Sequence, residues 1–409
     1  MDTGRRNGHQ PTPSPTDPGA LPTRERVLAP DLARGGMLLL IALANVHAYV
    51  YARLIGVRGY PQDLSPAERV VAVVQLTLVD GRAYPLFALL FGYGIWQLTA
   101  RRAAVGLPPG AVTRIVRRRG WWMVALGFGH ALLLWSGDIV GIYGVVGVVF
   151  AGMFVRGSDR ALLWTAAVSV ALGTLLGAAN GLVPPGARSV LPSMALVDPL
   201  DAALARVVEW LLLGVLFGLG VFGVVAFGVC AARRAYLDDP ERFRPLLRRV
   251  AVLGIATAAL GGLPLALVAA EVLPPTPGLA GPAAALHALS GYAGGVGYAA
   301  LFGLFAIRVS DRGTGVVSGA LVACGQRSLS CYLAQSVAFA ALLPAWTLGL
   351  GAGLSLEVAA LGGAGAWAVI LVVAAVTARA GYRGPAEVLL RRLTYGRRAR
   401  RPTNGTLVA

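Results

Sequence analysis

The chain has 409 residues, of which 56% are hydrophobic and 13% charged, with a mean hydropathy of +0.68. A water-soluble globular protein carries about 25% charged residues, so this composition excludes a soluble fold and points to an all-α polytopic integral membrane protein. The net charge of +17 comes entirely from 36 Arg, and no basic run is interleaved with stacking aromatics, which excludes nucleic acid as a partner.

The stretch up to Arg26 is rich in Pro, Gly and Arg without an apolar core. It is expected to be a disordered cytoplasmic tail (1–28) rather than a signal peptide. Apolar segments then fall at 35–55, 83–100, 120–137, 138–155, 161–182, 207–232, 249–272, 282–308, 328–346 and 357–378. A bilayer core needs about 20 apolar residues per helix, so the expectation is about ten transmembrane helices. They fall into two five-span halves, 29–182 and 183–380. Residues 66–79 and 314–324 are apolar preludes too short to cross, and read as interfacial or re-entrant helices. The end of the chain, 381–409, combines Val388, Leu389, Leu390 and Leu393 with many Arg. It reads as a basic amphipathic cytoplasmic tail attracted to anionic inner-leaflet lipids.

Alternating these spans from a cytoplasmic N-terminus assigns thirty Arg to the inner side and six to the outer: Arg53, Arg58, Arg69, Arg82, Arg188 and Arg206. That bias is the positive-inside signature of a cell-membrane protein with both termini cytoplasmic. Glycines such as Gly214, Gly218, Gly291 and Gly294 are spaced for close helix packing. Trp121, Trp122, Trp135, Trp210 and Trp346 are placed as interfacial belt residues. Cys230, Cys324 and Cys331 lack metal-ligand spacing and read as packing residues; no metal is expected.

Ionisable groups at membrane depth raise functional hypotheses. His47, His130 and His287 all fall between the midplane and the outer face on the expected spans, and Asp80, Arg82 and Asp138 fall on the same side. Together they form one candidate constellation, since a His held by a carboxylate is the usual general base. His130 is favoured because Asp138 follows it closely. The alternatives are interhelical hydrogen bonds for the histidines and structural pairing of Asp80 and Arg82 with each other or with Asp138. Asn45 points to a different side of the first helix from His47. Glu209 and Glu271 lie near span ends and read as solvated. At the inner mouth, Asp31 and Arg34 read either as a capping pair or as a site at which Arg34 binds an anionic group from the cytoplasm.

Five local patterns, in order over residues 31–396, resemble the YeiB-like membrane family (domain of unknown function 418). They are Asp31-Leu-Ala-Arg34-Gly35 leading to Asn45; Asp80-Gly81-Arg82 followed by Leu86 to Gly94; His130 with Leu133 to Trp135, Gly137-Asp138-Ile139 and Tyr143; Ser328 to Ser336; and Gly384 to Glu387 with Arg391 to Gly396. The family usually has Ser at Ala88 and Asn at Cys331, and its Gly-Arg pair is split here by Gln326. The resemblance implies kinship with multi-span transmembrane acyltransferases that carry an acyl group from cytoplasmic acyl-CoA to an acceptor across the membrane. In that setting His130, Asp138, His47 and His287 become catalytic candidates. Asn45, Asp80, Arg82 and Tyr143 become candidates for binding a small-molecule acceptor. Asp31 and Arg34, with Arg117 to Arg119, become candidates for meeting acyl-CoA. A small-solute transporter and a non-enzymatic membrane component are the competing expectations.

Overall fold

The computed structural model describes residues 27–182 and 186–396; the expected N-terminal tail up to residue 26, and everything after 396, lie outside them. The described residues form thirteen α-helices: α1 (Leu28–Val46), α2 (Pro66–Leu78), α3 (Ala83–Ala104), α4 (Pro109–Leu133), α5 (Val140–Arg156), α6 (Asp159–Ala178), α7 (Pro199–Arg233), α8 (Arg244–Ala269), α9 (Pro277–Arg312), α10 (Val316–Gly325), α11 (Ser328–Leu342), α12 (Leu356–Arg379) and α13 (Pro385–Tyr395). Seven stretches are long and apolar enough to cross a membrane: Leu28–Tyr49, Pro66–Ala104, Asp159–Gly181, Pro199–Arg233, Arg244–Ala269, Pro277–Arg312 and Leu356–Arg379. The protein is therefore an all-helical polytopic membrane protein. Val140–Arg156 and Ser328–Leu342 are apolar but shorter, while α4 carries Arg114 and Arg117 to Arg119 in its first half.

Contacts sort the helix ends onto two faces. On one, Asp159 at the start of α6 pairs with Arg233 and Arg234 at the end of α7, and Arg244 at the start of α8 reaches Asp311 at the end of α9. On the same face Arg102 at the end of α3 lies over Tyr395 of α13. On the other, Glu68 of α2 accepts from the first N–H of α12. There Glu271 beyond α8 accepts from Asp63 and Leu64, and Arg206 of α7 donates to Leu132 of α4. The first face is Arg-rich and the second Arg-poor.

Local sequence explains where elements start and stop. Ser65 and Glu68 form a reciprocal capping box at α2, with Pro66 at its first position. Asp198 caps α7 ahead of Pro199. The first helix starts at Leu28, seven residues before the expected span, with Asp31 in its first turn, and ends at Val46 in a single 3-10 turn, His47–Tyr49. His47 therefore sits where the helix breaks and not within it. The two preludes are separate short helices. The first leads into α3 through Val79-Asp80-Gly81-Arg82, with Gly81 at φ +78°, a conformation that favours glycine. Thus α2 and α3 form one path interrupted by a polar corner.

Glycines set the helix spacing. Gly92 and Gly228 press on the backbones of α7 and α3 respectively, and Gly120 and Gly127 press on Gly144 and Gly141 across α4 and α5. Backbones this close gain dispersion that lipid alone does not supply. Two expected belt residues are instead internal. Trp135 stacks on Tyr49 with centroids 4.3 Å apart, and Trp210 is buried beside Gly141.

Candidate functional site

The six residues of the expected constellation do not converge on one point; the structure divides them into two clusters toward the Arg-poor face. The first is built on the end of α4. His130 occupies its last turn, and the chain turns through Leu134 to Ile139 before α5 begins. That turn swings Asp138 back beneath His130. The imidazole Nδ1 and the Asp138 Oδ1 are 2.9 Å apart, with both side chains about 1% exposed or less. Asp138 also accepts from the backbone N–H of Val140 at 3.1 Å and of Gly141 at 2.6 Å. Two backbone N–H groups, the imidazole and the amino end of α5 thus converge on one carboxylate.

With Asp138 placed to accept at Nδ1, it is Nε2 that presents its lone pair. No described residue bonds Nε2. Other buried polar tips on neighbouring elements bond to no described residue, namely Tyr49 Oη, Trp135 Nε1 and Arg206 Nη1, while the Tyr332 hydroxyl is set against the Ile139 main chain. The Tyr332 ring is 5.1 Å from the His130 ring. Arg206 is 3% exposed, donates to the Leu132 carbonyl at 2.8 Å and lies over Trp346. Tyr49, Tyr332 and Arg206 were not singled out by the sequence; the only signal was a polar tip on an apolar helix. Glu209, expected to be solvated, accepts from Ser136 at 2.6 Å and Ser193 at 2.7 Å. It ties the α4–α5 turn to the segment before α7.

The second cluster surrounds the α2–α3 corner. Asp80 pairs with neither Arg82 nor Asp138. Its carboxylate receives both arms of Arg58, Nε at 2.8 Å and Nη2 at 3.0 Å. Arg58 lies in the loop between α1 and α2; the adjacent carboxylate raises its already high pKa, so it stays charged. Arg82 is fully buried. Its Nη1 donates to the Asp80 main-chain oxygen at 2.5 Å and lies 2.9 Å from the His287 ring, and its Nη2 donates to the Ala258 carbonyl at 2.6 Å. His47 stacks on Tyr60 with centroids 4.6 Å apart. Gly291 and Gly294, expected as packing residues, make room for this corner: a Cβ at Gly291 would meet the Gly81 carbonyl, and one at Gly294 the Arg82 side chain.

Tyr143 lies between the clusters. Its hydroxyl donates to the Tyr84 carbonyl at 3.1 Å, and Phe91 stacks on its ring. Asn45 joins neither cluster: it is half-buried and its side chain makes no hydrogen bond to a described residue. Asp31 and Arg34 do pair, at 3.3 Å, near the Arg-rich face. Arg34 also reaches the Leu90 carbonyl, while the second oxygen of buried Asp31 has no partner. Among the described residues no group of His, Cys, Asp and Glu has the arrangement of a metal site.

Residues 231–397 match the family described as "Protein of unknown function (DUF418)". That region contains His287, α11 and α13; the His130–Asp138 pair precedes it. The chain is 25% identical over 264 residues to the uncharacterized protein YxaH of Bacillus subtilis (strain 168), covering 57% of this chain and 64% of the relative. It is 32% identical over 126 residues to the uncharacterized protein YeiB of Escherichia coli (strain K12), covering 31% of this chain and 30% of the relative. The chain thus spans less than two thirds of the length of either.

Proposed function

We propose that the chain, a YeiB-like protein of the DUF418 family, is a transmembrane acyltransferase. The acyl group passes from cytoplasmic acyl-CoA to a hydroxyl or amine acceptor on the outer side. The observation that carries the reading is the buried His130, held by Asp138 at Nδ1 with Nε2 bonded to no described residue. A base in that state takes the acceptor's proton as its oxygen or nitrogen attacks the thioester carbonyl. The carbon–sulfur bond then breaks, and the imidazolium returns the proton to the leaving thiolate. The buried donors Tyr49, Trp135, Tyr332 and Arg206 are suited to bind the carbonyl oxygen as charge develops on it.

The membrane arrangement we infer has ten passes, α1, α3 to α9, α11 and α12, with both termini cytoplasmic. The Arg-rich face then meets the cytoplasm. The exposed Arg117 to Arg119 and the Asp31–Arg34 pair are the groups nearest an arriving CoA phosphate. Arg119 and Arg117 lie 11 and 13 residues before His130 on α4, about 16 and 20 Å of helix rise. The pantetheine arm spans that interval. The passes form two five-pass halves, 29–182 and 183–380. The exposed Arg392 of α13 rests on anionic inner-leaflet lipid, in a cell membrane.

The test is binding of acetyl-CoA to purified protein in detergent, together with slow release of its thiol. Neither would occur if the reading were wrong. A second reading, a small-solute transporter, is favoured by one observation: the helix path α2–α3 is broken at buried polar residues, as in transporters whose broken helices hold substrate. Solute flux into proteoliposomes, lost on mutating Asp80 but not His130, would select it.

A further inference from the structure

We propose that the α2–α3 corner is a binding site for the carboxylate or phosphate group of a small solute arriving from the Arg-poor face. The site is separate from His130 and goes beyond the acyl-transfer reading.

The corner holds two guanidinium groups, Arg58 and Arg82, and one carboxylate, Asp80. His287 faces the Arg82 guanidinium at 2.9 Å; a ring nitrogen there accepts from the cation and is neutral. The buried cluster therefore carries one net positive charge. Among the described residues the carboxylate beside Arg82 is Asp80, and that carboxylate is already forked onto Arg58. Glu68 is engaged by Arg53 and the start of α12, and Glu271 by Arg69. Arg82 is held instead by two main-chain carbonyls, which supply dipoles but no counter-charge. A buried cation left so is costly unless an anion joins it.

A donor remains for that anion: Arg82 Nε is buried and has no partner among the described residues, whereas the His47 ring is already set against the Ala44 and Arg58 main chains. The surroundings are shaped for close approach, since a Cβ at Gly81 would strike His287 and a Cβ at Gly262 would strike Arg82. Arg58 marks the entrance: its side chain is 28% exposed, and its third arm donates to the exposed Asn180 at 2.9 Å. The Asp80–Arg58 fork already has the two-oxygen geometry that an incoming carboxylate or phosphate uses on arginine. Asp80 is thus an internal competitor for the ligand.

That competition gives a test with opposite signs. Melting of the purified full-length protein in detergent is followed against acetate and against inorganic phosphate, with chloride at equal ionic strength as control. Wild type should be stabilised by at least one of the two oxyanions beyond chloride; acetate alone identifies a carboxylate, phosphate alone a phosphate ester. Asp80→Asn frees the Arg58 fork and should lower the apparent Kd about tenfold, the effect of releasing one charge-assisted pair. Arg82→Gln should raise it by a similar factor. If Arg82→Gln does not fold, Arg58→Gln carries that arm, with the same direction expected. The proposal is overturned if neither oxyanion exceeds chloride in wild type and Asp80→Asn, or if Asp80→Asn weakens binding. No acyl-CoA enters the assay, so its outcome is independent of the acyl-transfer reading.

Discussion

Replacing Asp138 by Asn removes one negative charge from a position where three donors converge. Oδ1 accepts from His130 Nδ1 and Val140 N–H, and Oδ2 accepts from Gly141 N–H at 2.6 Å. An amide has one oxygen and one NH₂, so two arrangements are open to it. With its oxygen at the Oδ1 position, the NH₂ opposes the Gly141 N–H at the shortest contact in the set. With its oxygen toward Gly141, only the longer 3.1 Å bond from Val140 is lost. The NH₂ then donates to Nδ1, provided the His130 proton moves to Nε2. The second arrangement sacrifices the weaker bond and is the one expected. It destabilises the fold by one buried hydrogen bond, about 1–3 kcal/mol, and it blocks Nε2 with a proton. Where a triad carboxylate is replaced in this way, the wrong tautomer lowers turnover about 10⁴-fold. Thiol release from acetyl-CoA measures the rate, and ¹⁵N NMR of the imidazole reports the tautomer. Turnover within threefold of wild type, with Nε2 protonated, would refute the reasoning.

Three further outcomes follow from the packing. Gly262→Ala places a methyl against Arg82 Nη2 and 2.6 Å from the Leu76 carbonyl; overpacking should cost about 1–3 kcal/mol, read as a lower Tm, whereas Gly278→Ala, with nothing within 4 Å, should be neutral. Glu387 of α13 accepts from Leu329 N–H at 2.8 Å and Ser330 N–H at 3.2 Å at the start of α11. Glu387→Ala should remove about 0.5–2 kcal/mol of capping and speed proteolysis within 385–396; unchanged cleavage would show that α13 is held by other contacts. Single cysteines introduced at Arg119 and at Asn180, in a background lacking the three native cysteines, should label from opposite sides of the membrane, and labelling from one side would break the inferred topology.

The sequence made the His130–Asp138 pair legible because it is local. Eight residues spanning a helix end and one turn suffice to bring a carboxylate back to an imidazole. The partner of Asp80 was not legible, because Arg58 reaches it through a loop whose path depends on contacts with α8, with Asn180 and with the main chain at Ala187, Arg188 and Gly351. A polar residue at a helix break looks, in sequence, like a polar residue at a span end. That is why Asp80 was expected at the outer start of a span, while His47, whose helix ends before the apolar run does, was expected inside one, and both in one shared site. Trp135 and Trp210 were expected as belt residues for a related reason: hydropathy gives depth along a helix but not which neighbour covers the ring. The fold class needed only the apolar runs. The start of α1 was hidden because Leu28 to Arg34 is helical before it is apolar enough to read as a span.

In the proposed reaction His130 is the base that takes the acceptor's proton as the thioester is attacked. The most direct measurement is thiol release from acetyl-CoA by protein reconstituted in nanodiscs, comparing wild type with His130→Gln of equal melting temperature. Wild type should release thiol, and the variant should be slower by about 10²–10⁴-fold, the range for removing a general base. Equal rates in the two proteins, or no release by wild type with any acyl-CoA, would contradict that role.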